Sequence, residues 1–229
     1  MVTLNGANAG IRGVRFLYPD VISAAAKKLP TPMSGYTIRG NGAGVYCINV
    51  AITGGHNGID FKNCDDHIIK RFVGCCGNNA MSVGGNNGLI EGCLQNGNTF
   101  CRMALPQNVV TPVPETQVFE MVFDPILRQK SVFIQVQKGA KNQTIFNSFA
   151  YGVKTFISSG GETTVINVGA DNIGSETPML DAWGGRIHVT NMMRYNGCSY
   201  KCNDAILAIY NRLTIGQKDT ESQSVTEMS

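Results

Sequence analysis

The sequence is poor in charge, in tryptophan and in long apolar stretches, and these shortages exclude several classes of protein. Charged residues make up 15% of the 229 residues, the net charge is +3, and there is one tryptophan. Lysine and arginine form no run interleaved with aromatics, so the electrostatic footprint of a nucleic-acid-binding protein is missing. No segment reaches the roughly 20 consecutive apolar residues of a membrane-spanning helix. We therefore expect no nucleic acid among the partners and no membrane span.

The beginning of the chain lacks the pattern of a secretory signal, which is a charged segment followed by an apolar one. Residues 1–6 already resemble the start of a strand. This beginning indicates a trimmed chain or a piece of a longer protein. If the natural protein is secreted, its leader is absent from this sequence.

Apolar residues and glycines are abundant, and they recur with a fixed period. Hydrophobic residues are 43% of the chain and glycines number 27, which favours a folded protein. Three apolar segments follow one another at an offset of 21 residues, at 48–52, 69–73 and 90–94. A second series lies between them, at 58–61, 80–83 and 99–102. Gly/Asn clusters separate these runs and suit tight turns, so the pattern predicts a solenoid with about three strands and roughly 21–22 residues per coil.

The offset predicts which side chains stack on one another at about 4.8 Å. One buried ladder is expected from Ile48, Ile69 and Ile90, and another from Ile52, Val73 and Leu94. An exposed column is expected from Asn49, Lys70 and Glu91. Arg71 falls at an inward position in this register, which predicts a bulge or a slip there. Asparagines in the turns of neighbouring coils are expected to hydrogen-bond along the axis.

The repeat resumes after an interruption, at 144–146, 163–166, 187–189 and 205–209. We assign one β-helix domain to residues 1–216, with loop insertions near 20–35 and 104–131, and a polar C-terminal tail to residues 217–229. Residues 23–28 are expected to form one or two helical turns, and residues 115–130 a short helix or an irregular excursion. Such insertions commonly lie on one face of a solenoid and form its binding surface.

The eight cysteines allow two interpretations. An even count suits a disulfide framework, but several cysteines lie at strand positions where a small apolar side chain is buried. We therefore expect mostly reduced thiols in the core, with Cys198 and Cys202 as the best candidates for a disulfide. No second Cys or His pair stands at ligand spacing, so a zinc site is not expected.

A set of short motifs is similar to those of a known superfamily. The motifs lie at 11–19, 36–39, 57–61, 149–152, 166–171 and 188–191. They resemble bacterial right-handed parallel β-helix proteins of the pectate-lyase-like superfamily, and the resemblance extends over most of the chain. It implies an all-β fold, a right-handed parallel β-helix, a carbohydrate polymer as the ligand class and, in many members, trimeric assembly. It also suits an extracellular or cell-surface location in a bacterium, with a cytoplasmic location as the alternative.

The superfamily does not assign a reaction, because it includes polysaccharide lyases, glycoside hydrolases, epimerases and phage tailspikes. The polygalacturonase pattern of Asn-Thr-Asp, Asp-Asp, His-Gly and Arg-Ile-Lys does not carry over. The pair Asp65 and Asp66 is present, but His56 precedes it and is followed by Asn57, and His188 stands where that pattern has lysine.

The most concentrated ionisable residues are Asp60, Asp65, Asp66 and His67. Glycoside hydrolysis uses two carboxylates that flank a sugar at about 5 to 9 Å from each other. Asp60 alternates with apolar residues, so its side chain is expected to point outwards, and the next two aspartates follow at a corner. We take Asp60, Asp65 and Asp66 as catalytic candidates. The alternative is that the corner aspartates only bond turn backbone.

Four further residues are candidates for substrate binding. Lys70 and Glu91 belong to the exposed column, either as an ordinary cross-strand pair or as part of a sugar-binding face. Trp183, which lies in a turn-like stretch beside Asp181, either stacks on a sugar or packs under a loop. His188 is the fourth candidate, although a lone histidine on a strand is more often structural. Asp171 belongs to the same group of residues.

We predict recognition of a carbohydrate polymer on the side of the β-helix, with glycoside hydrolysis if the protein is an enzyme. One alternative is a non-catalytic structural or adhesin module, such as a tailspike-like homo-oligomer, for which a contiguous apolar flank would be evidence. The other is a polysaccharide lyase in which Lys70 or Arg71 acts beside Asp65 and Asp66 with calcium. Only that last alternative requires a cofactor.

Overall fold

The structure of the protein is a computed structural model that describes residues 1–18, 35–96, 124–171, 173, 177–195, 199–215 and 226–227. The strands in the first half are β1 (Val2–Asn5), β2 (Gly10–Arg12), β3 (Arg15–Leu17), β4 (Ile38–Asn41), β5 (Tyr46–Ile48), β6 (Ala51–Phe61), β7 (Ile68–Lys70), β8 (Val73–Val83), β9 (Leu89–Glu91) and β10 (Leu94–Asn96). The helix α1 (Asp124–Lys130) follows. The later strands are β11 (Val132–Val136), β12 (Gln143–Phe146), β13 (Phe149–Tyr151), β14 (Thr155–Ser159), β15 (Glu162–Asp171), β16 (Pro178–Ala182), β17 (Gly185–Tyr195), β18 (Ser199–Cys202), β19 (Ala205–Ile215) and β20 (Thr226–Glu227).

These strands stack in parallel into three sheets. Sheet A contains β1, β4, the second halves of β6 and β8, β11, β14, β16 and β18. Sheet B contains β2, β5, β7, β9, β12, the first halves of β15, β17 and β19, and β20. Sheet C contains β3, the first halves of β6 and β8, β10, β13 and the second halves of β15, β17 and β19. Each strand pairs with the strand one coil later, so the predicted all-β parallel β-helix is confirmed.

The core is the interior of this coil, and it is built from ladders of like residues. In sheet B the inward column consists of Cys47, Ile69, Ile90, Ile145, Val165, Val189 and Ile209, all of them buried. Aliphatic side chains stacked at about 4.8 Å exclude water from one another over the whole length of the coil. Burial of each isoleucine contributes about 1.5–3 kcal/mol. The period-2 alternation of the sequence therefore decides which face of each strand lies inside.

The predicted ladders were wrong by one residue in the first of the three coils. Cys47, and not Ile48, pairs with Ile69, because the spacing between these two coils is 22 residues and not 21. The exposed column is accordingly Ile48, Lys70 and Glu91, and Asn49 lies at the corner beyond it. Val73 pairs with Ala51 and Leu94, so Val73 lies on the outer face and is 42% exposed.

The corner between sheets B and C repeats a left-handed turn. Its positive-φ residues are Gly13, Asn49, Arg71, Gly92, Asn147, Asn167, Asn191 and Asn211. The asparagine ladder, which we define as the last four of these residues, contains the predicted axial bonds: Asn191 Nδ2 donates to Asn167 Oδ1 at 2.9 Å, and Asn211 Nδ2 to Asn191 Oδ1 at 3.1 Å. Arg71 occupies this corner with φ 54°. Its apparent inward position was therefore an error of register, and neither a bulge nor a slip is present there.

Two polar residues lie inside sheet C. The buried Gln95 donates through Nε2 to Ser131 Oγ at 2.7 Å and to the Cys76 carbonyl at 3.3 Å, which satisfies its amide nitrogen without water. Arg194 is also buried, with its guanidinium 4.8 Å from the centre of the Tyr200 ring. Buried polar groups are tolerated only with such partners.

The cysteines are mostly core residues, as predicted. Cys47, Cys64, Cys75, Cys76 and Cys93 are buried free thiols. The predicted disulfide between Cys198 and Cys202 is wrong: Cys202 is a free thiol whose Sγ faces the Ala205 carbonyl oxygen at 3.1 Å. Cys198 itself lies outside the described residues, as does Cys101.

Several predicted segments fall partly or wholly outside the described residues. These are 23–28, most of the insertion near 20–35, 99–102, 104–123 within the second insertion, and most of the tail at 217–229. The end of the second insertion forms α1, which is the short helix expected within 115–130. Within the described ranges, no helix is long and apolar enough to cross a membrane.

Candidate functional site

The outer face of sheet A presents a column of polar side chains that runs along the axis. Its members on successive strands are Arg39, Asp60, Ser82, Gln135, Ser158, Asp181 and Lys201. They stand on one line because each occupies the outward position next to a buried apolar residue in its own strand. Trp183 lies two residues beyond Asp181, and Lys62 two residues beyond Asp60. We call this surface the sheet A face.

Asp60 lies near one end of the sheet A face, and two cations balance its negative charge. Its Oδ2 accepts from Arg39 Nε at 3.2 Å and lies 3.8 Å from Lys62 Nζ, and its Oδ1 accepts from the Lys62 backbone N–H at 3.3 Å. The carboxylate side chain is 2% exposed, whereas the two cations are 42% and 46% exposed. The outward direction predicted for Asp60 agrees with its pairing to these surface cations. Its carboxylate is nevertheless covered, so it cannot approach a sugar without breaking these pairs.

Trp183 lies towards the other end of the sheet A face, and its position is fixed. Its Nε1 donates to Ser158 Oγ at 3.0 Å, and Ser158 Oγ donates to Asp181 Oδ2 at 3.4 Å. The ring rests on Gly160, where an added Cβ would lie 2.5 Å from the indole. Glycine is required there because any side chain would displace the ring. The indole is half-buried, so part of it faces solvent.

Asp181 contributes an unused acceptor beside this ring. Its Oδ1 is buried and has no hydrogen-bond partner within the described part of the chain. A buried carboxylate oxygen without a donor is costly, so this atom favours a ligand or a water that donates to it. The next residue along the column is the exposed Lys201.

Amide and hydroxyl groups occupy the middle of the sheet A face. Gln137 Nε2 donates to Ser82 Oγ at 3.0 Å, and Asn79 Nδ2 donates to Gln135 Oε1 at 3.2 Å. Both pairs join neighbouring coils, and each amide retains a second N–H and further lone pairs for a ligand. The face therefore offers uncharged hydrogen-bonding groups between two charged ends.

Asp65 and Asp66 do not join this surface, because they form part of a second ladder at the corner between sheets A and B. Asp65 Oδ1 accepts from the Asn86 backbone N–H at 2.7 Å and from Asn86 Nδ2 at 3.0 Å. Asp66 Oδ1 accepts from Asn87 Nδ2 at 3.0 Å, and Asp66 itself has φ 55°. These contacts are those of the turn-bonding alternative described above.

His67 is separated from the aspartates because it points into the core. Its Nδ1 lies 2.8 Å from the Cys64 carbonyl oxygen, and it is fully buried. Burial lowers the pKa of His67, and this effect exceeds the opposing ones of the Cys64 carbonyl and of Asp65 and Asp66. The ring is therefore a neutral packing element and lies away from any surface.

The remaining predicted residues lie on other faces. Lys70 and Glu91 form an ion pair of 2.8 Å on the outer face of sheet B, which is the ordinary cross-strand interpretation and contributes about 0.2–1 kcal/mol at this exposure. His188 lies on the outer face of sheet B, next to Thr164 and Ala208. Asp171 lies on sheet C, opposite Tyr151. Of the residues that the sequence singled out, the sheet A face unites Asp60, Asp181 and Trp183.

The separation of the carboxylates on the sheet A face does not suit glycoside hydrolysis. Asp60 and Asp181 are four strand spacings apart, about 19 Å. A pair of catalytic carboxylates needs about 5 to 9 Å. Among the described residues, no three His, Cys, Asp or Glu side chains are grouped closely enough to hold a metal ion. Asp60 and Asp181 are therefore too far apart to act together as such a pair.

Sequence reasoning missed Ser158, Gly160 and the polar middle of the sheet A face. The signal for Gly160 was present, since Gly160-Gly161 precedes Trp183-Gly184 by about one coil and glycine pairs mark close approach. Gly160 lies under the ring because β14 pairs with β16 in the register that joins Ser159 to Ala182, and the sequence alone does not reveal that register.

The comparisons with known proteins add no family to this geometry. No protein-family model matches the chain, and no match was found among the curated proteins or the solved structures.

Proposed function

We propose that the protein binds a carbohydrate polymer along the sheet A face. The observation that carries this proposal is the fixed, half-buried indole of Trp183, which rests on Gly160 and is held by Ser158. An aromatic surface beside a few converging polar groups is the usual composition of a small-ligand site. A sugar ring offers the matching chemistry, because its C–H face packs on an aromatic ring while its hydroxyls donate and accept hydrogen bonds.

The length and repetition of the face favour a polymer over a single sugar. The polar column recurs at every strand spacing of about 4.8 Å, so polar groups follow one another along the whole face. The Asp181 carboxylate accepts a hydrogen bond from a sugar hydroxyl beside the indole, and the amides of Gln135 and Gln137 bond the following units. We propose an extracellular or cell-surface location together with this ligand, since such polymers are found there.

We propose recognition without hydrolysis. Asp60 is held by Arg39 and Lys62, while Asp65 Oδ1 and Asp66 Oδ1 accept hydrogen bonds from Asn86 and Asn87 at another corner. On the part of the sheet A face that the structure describes, Asp181 therefore has no second carboxylate at the distance that a general acid and a nucleophile require. We expect binding without the release of reducing ends or of unsaturated uronates.

A second candidate function is a structural or adhesin module that acts as an oligomer. The observation that favours it is the apolar outer face of sheet C. Its exposed members include Leu17 at 52%, Val73 at 42%, Leu213 at 56% and Ile215 at 39%. Contiguous exposed apolar residues commonly mark interfaces between proteins. The two candidates use different faces and are compatible with each other.

The test uses the fact that Trp183 is the only tryptophan. Its fluorescence is recorded while the full chain is titrated with soluble plant and microbial polysaccharides, and the same mixtures are assayed for reducing ends and for absorbance of unsaturated uronates. We expect one class of polysaccharide to change the emission without turnover. By calorimetry, Trp183→Ala should weaken binding about tenfold or more, and Trp183→Phe should retain most of it.

A glycine variant makes this test specific. Gly160→Ala places a methyl group against the indole and should weaken binding. Lys70→Ala on sheet B is the control and should leave binding unchanged. Binding that is unchanged in Trp183→Ala and Gly160→Ala, or release of reducing ends, would refute recognition at this face.

A further inference from the structure

A groove runs along the axis on the corner between sheets B and C, away from the sheet A face. It has a volume of about 550 Å³. One wall is the asparagine ladder, and the other is apolar, formed by Phe149, Met193 and Leu213. It follows four coils, from Asn147 to Asn211, over about 14 Å. The groove is therefore long, shallow and amphipathic.

The polar wall has unused hydrogen-bonding capacity. A primary amide has two N–H donors and two acceptor lone pairs, and each ladder contact uses one donor and one lone pair. The ladder is interrupted between Asn147 and Asn167. The side chain of Asn147 makes no hydrogen bond with any described residue, and Asn167 uses its oxygen for Asn191 but donates to no described residue. The side-chain amides of Asn147 and Asn167, on two neighbouring coils, are therefore available to a ligand. Both residues have a left-handed backbone conformation.

The apolar wall presents the phenyl ring of Phe149 close to these two asparagines. Phe149 lies directly opposite Gly169, and a Cβ on that glycine would lie 2.8 Å from the ring. The phenyl ring thus packs against the backbone of the next coil, two residues from Asn147. Its outer surface is half-exposed, and Leu213 further along the wall is 56% exposed. A flat aromatic surface therefore stands across the groove from the unused amides.

Among the described residues that line the groove, none has an ionisable side chain, in contrast to the sheet A face with its aspartates, arginine and lysines. A charged ligand would be desolvated here without compensation. Three of the four strands that line the groove, β13, β15 and β17, are paired on both sides and offer no free backbone edge there. An extended peptide that adds a strand to a sheet needs such an edge.

We infer that this groove is a second binding site, specific for an uncharged oligosaccharide segment that lies parallel to the axis. One sugar ring packs on Phe149, and its hydroxyls bond Asn147 and Asn167. Neighbouring rings extend along Met193 and Leu213. This inference concerns a separate surface and does not depend on the proposed function of the sheet A face.

The test is calorimetric titration of the 229-residue chain with neutral oligosaccharides, namely cellohexaose, xylohexaose and maltoheptaose, with a trigalacturonate as the charged comparator. We expect heat from at least one neutral probe and none from the charged one. The affinity should be the same in 50 mM and 500 mM salt, because no ion pair forms. Trp183 emission should not change, since that ring lies on sheet A, and Trp183→Ala should bind normally.

Three variants locate the ligand. Phe149→Ala should weaken binding at least tenfold, because it removes the aromatic surface. Asn147→Gly removes an amide but keeps the positive φ, and should weaken binding about fivefold. Its matched control is Asn49→Gly, at the same corner with φ 53° but outside the groove, which should leave binding unchanged.

Three results would overturn the inference. The first is no heat from any neutral probe at millimolar concentration. The second is binding that survives Phe149→Ala and Asn147→Gly but is lost in Trp183→Ala, which would place the ligand on the sheet A face. The third is a dimer in sedimentation that Phe149→Ala dissociates, because a second copy of the chain would then cover the groove.

Discussion

Arg71 is a long side chain at a position where the chain otherwise places glycine or asparagine. It stacks between Asn49 and Gly92 at the corner of sheets B and C, with φ 54°, and its side chain is exposed. The left-handed region costs a residue with an ordinary Cβ about 1–2 kcal/mol, whereas glycine and asparagine adopt it readily. The corner therefore carries local strain at this coil.

We predict that Arg71→Asn stabilises the protein by about 1 kcal/mol, because it relieves that backbone strain and allows an amide contact with Asn49. Urea unfolding at neutral pH measures the change. The reciprocal variant Asn191→Arg should destabilise the protein, since it adds the strain and removes two ladder bonds. An unchanged midpoint for Arg71→Asn would mean that the arginine side chain has a compensating contact.

The same residue illustrates what could be predicted from the sequence. The period, the Gly/Asn turns and the axial amide bonds follow from local chemistry, and the structure confirms them. Arg71 was misplaced because arginine is not a turn residue, so nothing local distinguishes a corner from a strand there. One additional residue between Cys47 and Ile69 then moved a whole coil out of register, since side chains alternate with a period of two.

At the scale of elements, β8 departs from strict alternation. Cys75 and Cys76 are consecutive and both are buried, because β8 passes from sheet C to sheet A at this point and the register shifts. With Cys47 and Cys93 they fill parts of the interior where a larger side chain does not fit. Burial raises the pKa of Cys76 and of Cys93 to about 12, so neither thiol ionises at neutral pH.

We predict that iodoacetamide at pH 8 modifies Cys202 in the native protein and leaves Cys47, Cys64, Cys76 and Cys93 unmodified, because the thiolate is the reactive form. Urea should make all of them reactive. Peptide mapping by mass spectrometry assigns each site. Native modification of Cys76 or Cys93 at the rate of Cys202 would show that β8 opens locally.

The elements of the candidate site were only partly predictable. Trp183 was identified because it is the only tryptophan, and Asp60 because it stands between two apolar residues of a strand. Both signals can be read from the sequence alone. The partners that decide their roles lie one coil away, namely Gly160 and Ser158 for the tryptophan, and Arg39 for the aspartate. Such contacts depend on the register between neighbouring coils, which a single sequence does not specify.

At the scale of the whole molecule, the buried His67 and the half-buried His56 connect stability to pH. Burial lowers the pKa of His67, and burial followed by the charge of Lys130 lowers the pKa of His56. The folded state therefore binds protons less readily than the unfolded chain. The contribution to stability is complete above the ordinary histidine pKa of about 6.5 and is lost as the pH falls below it.

We predict that the free energy of unfolding decreases between pH 7.5 and pH 5, and that His67→Asn reduces this dependence while keeping a donor for the Cys64 carbonyl. Urea titrations at the two pH values measure it. Ile69→Val on the neighbouring strand is the control, because it lowers stability without changing an ionisable group. An identical pH dependence in wild type and His67→Asn would contradict the assignment.

Each strand pairs only with the strands of the coils before and after it. The length of this protein can therefore change in steps of one coil. Duplicating residues 69–89, which separate Ile69 from its partner Ile90, would add one layer of about 4.8 Å and preserve every other contact. An insertion within a strand that does not amount to a whole coil would put all later layers out of phase. Duplication of a single coil in the gene can therefore lengthen the sheet A face and the corner between sheets B and C together, while the fold stays the same.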